Sequence, residues 1–475
     1  MNKQNEILIR NALKIVTFDD ERHEYDNADI LIRDNKIASI GTGLKATSDN
    51  AKVIDASVKI VIPGMINTHH HLYQTLTRNI PYVQNAELFD WLTTLYEIWR
   101  EIDEEAVYIS ALLGLGELLL TGCTTSTDHL YLFPASQPTT LIDKEIGAAQ
   151  KLGIRFHPTR GSMSRGKSNG GLPPDDVVQT HEKIIEDSIR VIDMYHNPEP
   201  FSMCRVALAP CSPFSVTDEL LKETAKLARE KKVLLHTHLA ETMDEEEYCL
   251  SLHGKRPLAY MESVDWIGSD VWYAHSVYMN DDEIKLMAET KTGVSHCPTS
   301  NLRLGSGIAP IPKMMEKGVP VSLGVDGSAS NDTSDMLGEV RMACYIHRVK
   351  SGVSSMGADD ALYLATRGGA EVLHRNELGS IEIGKAADIA IFDLSRFELA
   401  GGLSDPLGCI IFSGHNHRAH TVIVNGNIVV NNSKLVNIDE MEVYHRANEI
   451  SREIIRRAMG RTNIDYFNRK KWTQD

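Results

Sequence analysis

The chain has 475 residues, more than one hydrophobic core usually organises, so a large domain and a smaller one are expected. Its 42% hydrophobic and 24% charged residues are ordinary for a globular protein. A net charge of −16 without a long Lys/Arg cluster argues against nucleic acid and acidic membrane surfaces as partners.

In chain order, residues 7–62 read as strands. Segments 7–10 and 15–18 come first, then 30–33 and 36–41 joined by the turn pair Asp34-Asn35, then 53–55 and 60–62. Pro63-Gly64 breaks this pattern. Short apolar runs then alternate with helical stretches. The expected strands are 65–68, 122–128, 155–159, 205–209, 233–238, 271–274, 293–296 and 319–323. Helices are expected over 104–120, 218–230 and 281–289. Eight such units fit an α/β fold, a (β/α)₈ barrel of the TIM type. Near Leu373 the strand rhythm returns, with 389–392, then 421–424 and 427–430 around the hairpin pair Asn425-Gly426. The simplest assembly is a small β-sandwich domain built from both termini. The expected domains are 1–62 with 375–435 for the sandwich, 63–374 for the barrel, and a helical segment over 436–475.

Seven scattered cysteines without a C-x-x-C pair argue against a disulfide framework and fit a reducing compartment. They read as small apolar packing groups. Residues 1–14 show no apolar leader core, and no apolar run reaches membrane-helix length. A cytoplasmic protein is expected.

His69, His70 and His71 directly follow the first expected barrel strand. Alternate residues of an extended chain point the same way, so His69 and His71 share a side and His70 points away. Alone, the triplet reads equally well as a polar turn. Other strand ends tip the balance: His236-Thr237-His238-Leu239-Ala240-Glu241, Ala274-His275-Ser276 and Gly324-Val325-Asp326-Gly327. Barrel enzymes place their active sites at the C-terminal ends of the strands. Four such ends offering His or Asp point to a site for one divalent metal ion. Three His and one carboxylate suit zinc, with iron the alternative.

Through these segments the chain resembles the amidohydrolase superfamily, specifically its single-metal deaminase branch, over nearly its whole length. The resemblance implies His69, His71, His238 and Asp326 as metal ligands and Glu241 as proton shuttle. It implies that His275 holds the attacking water or polarises the substrate. Two-metal relatives carry a carboxylated lysine on strand four; segment 205–209 has no lysine, so one ion is expected. Relatives often form dimers, which implies a homo-oligomer. Segments 67–78, 159–164, 170–175, 296–301 and 303–307 are similar to those of 8-oxoguanine deaminases. Hydroxyatrazine-type aminohydrolases share them, and guanine deaminases do so more loosely.

A bound cation lowers the pKa of its water and supplies hydroxide for attack on the amino-bearing ring carbon. Asp326 can take the water's proton. Glu241 can protonate a ring nitrogen and then the departing amine, provided that its pKa lies near working pH. The small-molecule substrate expected is 8-oxoguanine, giving urate and ammonia. Guanine, isocytosine and N-alkylated hydroxytriazines are the alternatives. A non-catalytic relative would have lost ligands that this chain keeps. Gln74 can offer a donor and an acceptor to a lactam edge, and Arg160 two donors to a ring carbonyl. For Trp91, His129, Tyr131 and His236, packing roles outweigh roles in the site. P-loop, H-E-x-x-H and dinucleotide-binding motifs are absent, as is the H-x-E with P-C-x-x-C signature of the other zinc deaminases.

Overall fold

A computed structural model describes residues 5–472. The outermost residues of the expected domain ranges, 1–4 and 473–475, lie outside the described residues. Eight strands form one all-parallel sheet in chain order: Met65–Asn67, Cys123–Leu130, Arg155–Ser162, Ala207–Pro210, Leu234–Leu239, Val271–His275, Gly293–His296 and Val321–Leu323. The Thr68 N–H donates to Leu323 O at 3.1 Å, which brings the last strand against the first and closes the barrel. The strands are buried nearly throughout, because helices cover one face and the barrel interior covers the other.

Local signals account for the helices between them. Glu104–Leu120 starts at Asp103, whose carboxylate accepts the Ala106 N–H at 2.9 Å. Asp281–Thr290 starts with a capping box, in which Asn280 and Glu283 each accept the other's backbone N–H at 2.9 and 2.8 Å. Asp218–Lys231 is capped by Thr217 and ends at Lys232, in the left-handed region with φ 57°.

Both termini build a separate mixed sheet of nine strands. The segments expected at 7–10 and 15–18 are one strand, Glu6–Val16, interrupted only by an irregularity between Ile9 and Ala12. It pairs with Glu24–Arg33, Lys52–Asp55 and Lys59–Pro63. Ile389–Asp393 pairs antiparallel with Lys59–Pro63, and this joins the two ends of the chain. The layers of the sandwich are thus parts of one continuous sheet, whose Ile9, Ile32, Val61, Ile391 and Ile423 meet in a common core. Asn425-Gly426 turns the C-terminal hairpin with both residues at positive φ, 48° and 76°. A Cβ on Gly426 would lie 1.8 Å from Asp34 O, so the two hairpin tips can pack only with glycine there.

The C-terminal helix, Glu440–Thr462, packs on Leu88–Trp99 and Glu104–Leu120. Its Ser451 Oγ donates to Leu76 O at 2.6 Å, so it buttresses the segment that follows the His triplet. Among the described residues no helix is long and apolar enough to cross a membrane.

Candidate active site

The C-terminal strand ends carry the chemically active side chains, and their backbone is unusual. Ala240, His275, Ser276 and Asp326 all have positive φ, between 51° and 71°. Such conformations cost non-glycine residues about 1–3 kcal/mol each and persist where surrounding structure holds them. Here Asp326 N–H donates to His69 O at 3.1 Å and Ser276 N–H to Leu239 O at 3.0 Å.

Hydrogen bonding decides which nitrogen each histidine presents. A carbonyl only accepts, so the nitrogen facing it carries the proton. His71 Nδ1 faces His129 O at 2.9 Å, and His238 Nδ1 faces Cys211 O at 2.6 Å. Both therefore present an unprotonated Nε2. His236 Nδ1 faces Trp272 O at 2.9 Å, so its Nε2 accepts from His69 Nδ1 at 2.8 Å. That leaves His69 Nε2 bare, buried and without a partner. Burial pushes all three imidazoles below their ordinary pKa, which keeps them in the neutral form that binds metal.

These residues fit a metal ion. The Nε2 lone pairs of His71 and His238 face each other at 3.1 Å, an arrangement that is repulsive without a cation between them. Asp326 Oδ1 lies 3.3 Å from His69 Nε2 and 3.4 Å from His71 Nε2. A tetrahedral zinc ion with bonds of about 2.0–2.1 Å would separate its ligand atoms by about 3.3 Å. His129 joins the same cluster, its ring stacked on His238 at 4.9 Å and its Nε2 bonded to Ala209 O at 2.8 Å.

Glu241 stands beside this cluster, accepting from Ser306 Oγ at 3.2 Å and lying 3.5 Å from His275 Nε2. Burial, joined by the charges of Asp326 and Glu245, pushes its carboxyl well above the ordinary range. A carboxyl that keeps its proton can donate it. His275 Nδ1 is anchored by Asn301 Nδ2 at 3.0 Å, while its Nε2 lies 3.9 Å from Asp326 Oδ2. Burial lowers its pKa to about 4, so it is neutral.

One pocket opens on His71, His238, Glu241, His275 and Asp326. Gln74 lines it, with an Oε1 that is buried and unpaired. A Cβ on Gly327 would lie 1.9 Å from that oxygen, so glycine after Asp326 makes room for Gln74. Trp91 and Tyr131, read from sequence as packing residues, also line the pocket, and Trp91 Nε1 is a second buried polar atom without a partner. Sequence favours packing for Trp91 because nothing local shows that Leu88–Trp99 turns Leu88, Trp91, Leu92 and Tyr96 to the pocket. Phe214, Leu92 and Cys211 are further wall residues of this kind.

The structure does not bring Arg160 to the pocket, which corrects its expected role in substrate binding. Its guanidinium is spent on Asp187 at 2.6 Å, Gln179 at 2.8 Å and Gly161 O, and it lies 3.9 Å over the Phe133 ring. His70 turns away as alternation requires, with Nε2 at 3.0 Å from Ser334 Oγ.

The amidohydrolase family model matches residues 60–429. The 8-oxoguanine deaminase of Pseudomonas aeruginosa is 44% identical over 420 residues, covering 88% of this chain and 92% of that protein. The hydroxydechloroatrazine ethylaminohydrolase of Pseudomonas sp. (strain ADP) is 34% identical over 455 residues, covering 93% and 94%. The solved structure of atrazine chlorohydrolase from Arthrobacter aurescens TC1, complexed with zinc, superposes with a TM-score of 0.89 at 36% identity, covering 94% of this chain and 100% of that one. The chain belongs to the amidohydrolase family.

Proposed function

We propose that this protein deaminates 8-oxoguanine hydrolytically, consuming water and releasing urate and ammonia. It is a hydrolase of carbon–nitrogen bonds, a deaminase or aminohydrolase of purine-like or triazine rings with a His-rich metal site. The narrower choice of substrate rests on the 44% identity to 8-oxoguanine deaminase. In this reading His69, His71, His238 and Asp326 hold one ion, zinc by its donor set. The observation that carries the metal assignment is the convergence of three lone-pair nitrogens and one carboxylate at 3.1–3.4 Å.

The ion, when bound, supplies the positive charge that activates water. Asp326 offers Oδ2 on the pocket side as a proton acceptor. Glu241, holding its own proton, gives it to a ring nitrogen, takes the hydroxyl proton as the ring carbonyl forms and passes it to the departing amine; the water proton held by Asp326 then restores Glu241. Neutral His275, fixed by Asn301, aims Nε2 between Glu241 and Asp326 and orients the reacting oxygen. Gln74 and Trp91 bring an unpaired acceptor and donor to the ring. Leu92 and Phe214 exclude water around it.

Ammonia release from 8-oxoguanine, guanine and isocytosine, measured beside alkylamine release from N-alkylated hydroxytriazines, tests the proposal. The expected result is the highest kcat/KM on 8-oxoguanine. Equal or better turnover of the triazines would overturn it.

A further inference from the structure

Glu245 has no solvent exposure, lies one turn beyond Glu241 on the helix Met243–His253, and does not line the pocket. Both carboxylate oxygens are used. Oε1 accepts the Ala240 N–H at 2.8 Å and Oε2 the Glu241 N–H at 3.1 Å. Between them the chain turns a corner, with Ala240 at φ 52°. The Ala240 carbonyl in turn accepts the Val277 and Tyr278 N–H groups at 2.9 and 3.0 Å, just past His275.

An ordinary capping box does not describe this contact. There, the third helical residue accepts from the amide of the cap residue itself. Here the cap residue, Thr242, makes no side-chain cap bond, and Glu245 reaches past it to the two residues before. A buried carboxylate is a costly way to stabilise a helix end. It is well suited to holding two adjacent amides, because only a carboxylate offers two accepting oxygens at that spacing.

We infer that Glu245 is a positioning residue for the reaction: its carboxylate clamps the main chain at Ala240–Glu241 and so sets where the Glu241 side chain meets substrate. This rests on the proton-transfer role proposed for Glu241. Glu245→Gln keeps one acceptor and turns an NH₂ group toward the second N–H, so the corner loosens while its volume is kept.

The test uses the full-length metal-loaded enzyme and compares Glu245→Gln with Asp439→Ala. Asp439, which does not line the pocket, caps the C-terminal helix through the Met441 and Glu442 amides at 2.8 and 3.2 Å, so its loss removes a two-amide cap elsewhere in the fold. In Glu245→Gln, kcat for ammonia release is expected to fall about 10- to 100-fold, the scale of a small misplacement, with KM within about twofold and metal content unchanged. Amide hydrogen exchange over residues 239–242 should speed up. Asp439→Ala should keep its kcat. A Glu245→Gln enzyme with kcat within twofold of wild type overturns the inference, as does a kcat loss that tracks loss of metal. Should Glu245→Gln fail to fold, Glu245→Asp, whose carboxylate sits one methylene short, is read in the same way. Full activity in Glu241→Gln would instead remove the proposed mechanism, and this inference with it.

Discussion

His236 Nε2 lies 2.8 Å from His69 Nδ1, and this contact determines which nitrogen of His69 faces the metal site. The chain of proton ownership starts at Trp272 O, which can only accept, and ends at His69 Nε2, which is left bare. The His236 ring also stacks on Trp272 at 4.3 Å. His236→Phe preserves the stack and removes the acceptor. Metal affinity is expected to drop about 10- to 100-fold, as for other residues that orient a ligand from behind. Chelator competition measures it, and unchanged affinity would show that His69 needs no such support.

Ligands and proton shuttle should separate experimentally. His69→Ala and Asp326→Ala are expected to lower metal content, read by elemental analysis of purified protein. Glu241→Gln should retain the ion and lose at least about 100-fold in ammonia release. A fully active Glu241→Gln enzyme would falsify the shuttle.

Arg160 and Trp91 should exchange the roles that sequence suggests for them. Arg160→Met leaves Asp187 buried beside only Arg190, which contacts it at 2.7 Å. The expected cost is about 3–5 kcal/mol of stability, with KM unchanged in the protein that remains folded. Trp91→Phe keeps the wall and removes one donor, so KM should rise about tenfold with little change in melting temperature. Denaturation curves and steady-state kinetics on both variants decide the matter. A KM effect confined to Arg160→Met would return it to the pocket.

Acid should loosen the terminal sheet through Glu6. Burial raises the pKa of this carboxyl, but the amide of Ser48, the hydroxyl of Thr47, Arg33 and the amide of Thr47 together outweigh it and bring the value down to about 2. A depressed carboxylate pKa contributes stability above the unfolded value, and that stability is lost as pH falls through the folded value. Glu6→Gln should therefore melt at a lower temperature than wild type at pH 7. The gap should close between about pH 4.5 and pH 2. A gap independent of pH would mean that Glu6 acts by packing alone.

Much of the architecture was legible along the chain because the barrel repeats a short-range pattern. Several strands are brief apolar runs between turn residues, and several helices start at a capping side chain; Glu104–Leu120 matches its expected span of 104–120. Alternation placed His69 with His71 and turned His70 away, and it also put His236 on the side of His238. What alternation could not supply was distance. That His236 reaches His69, just past the end of the first barrel strand, follows only from closing the barrel.

The amino-acid sequence by itself determined the periodicities, the caps and hairpin turns, the family, and the strand ends that carry His and Asp. These are local properties, set by which side chains alternate and which residues tolerate a turn. Tertiary structure alone decided that three of those ends meet within 3.1–3.4 Å, that Arg160 is consumed by Asp187, and that Trp91 reaches the pocket. It also turned both oxygens of Glu245 toward the backbone at Glu241. The reason is physical: a buried polar group takes whichever partner the packed fold brings to it, and most of those partners lie far away in the chain.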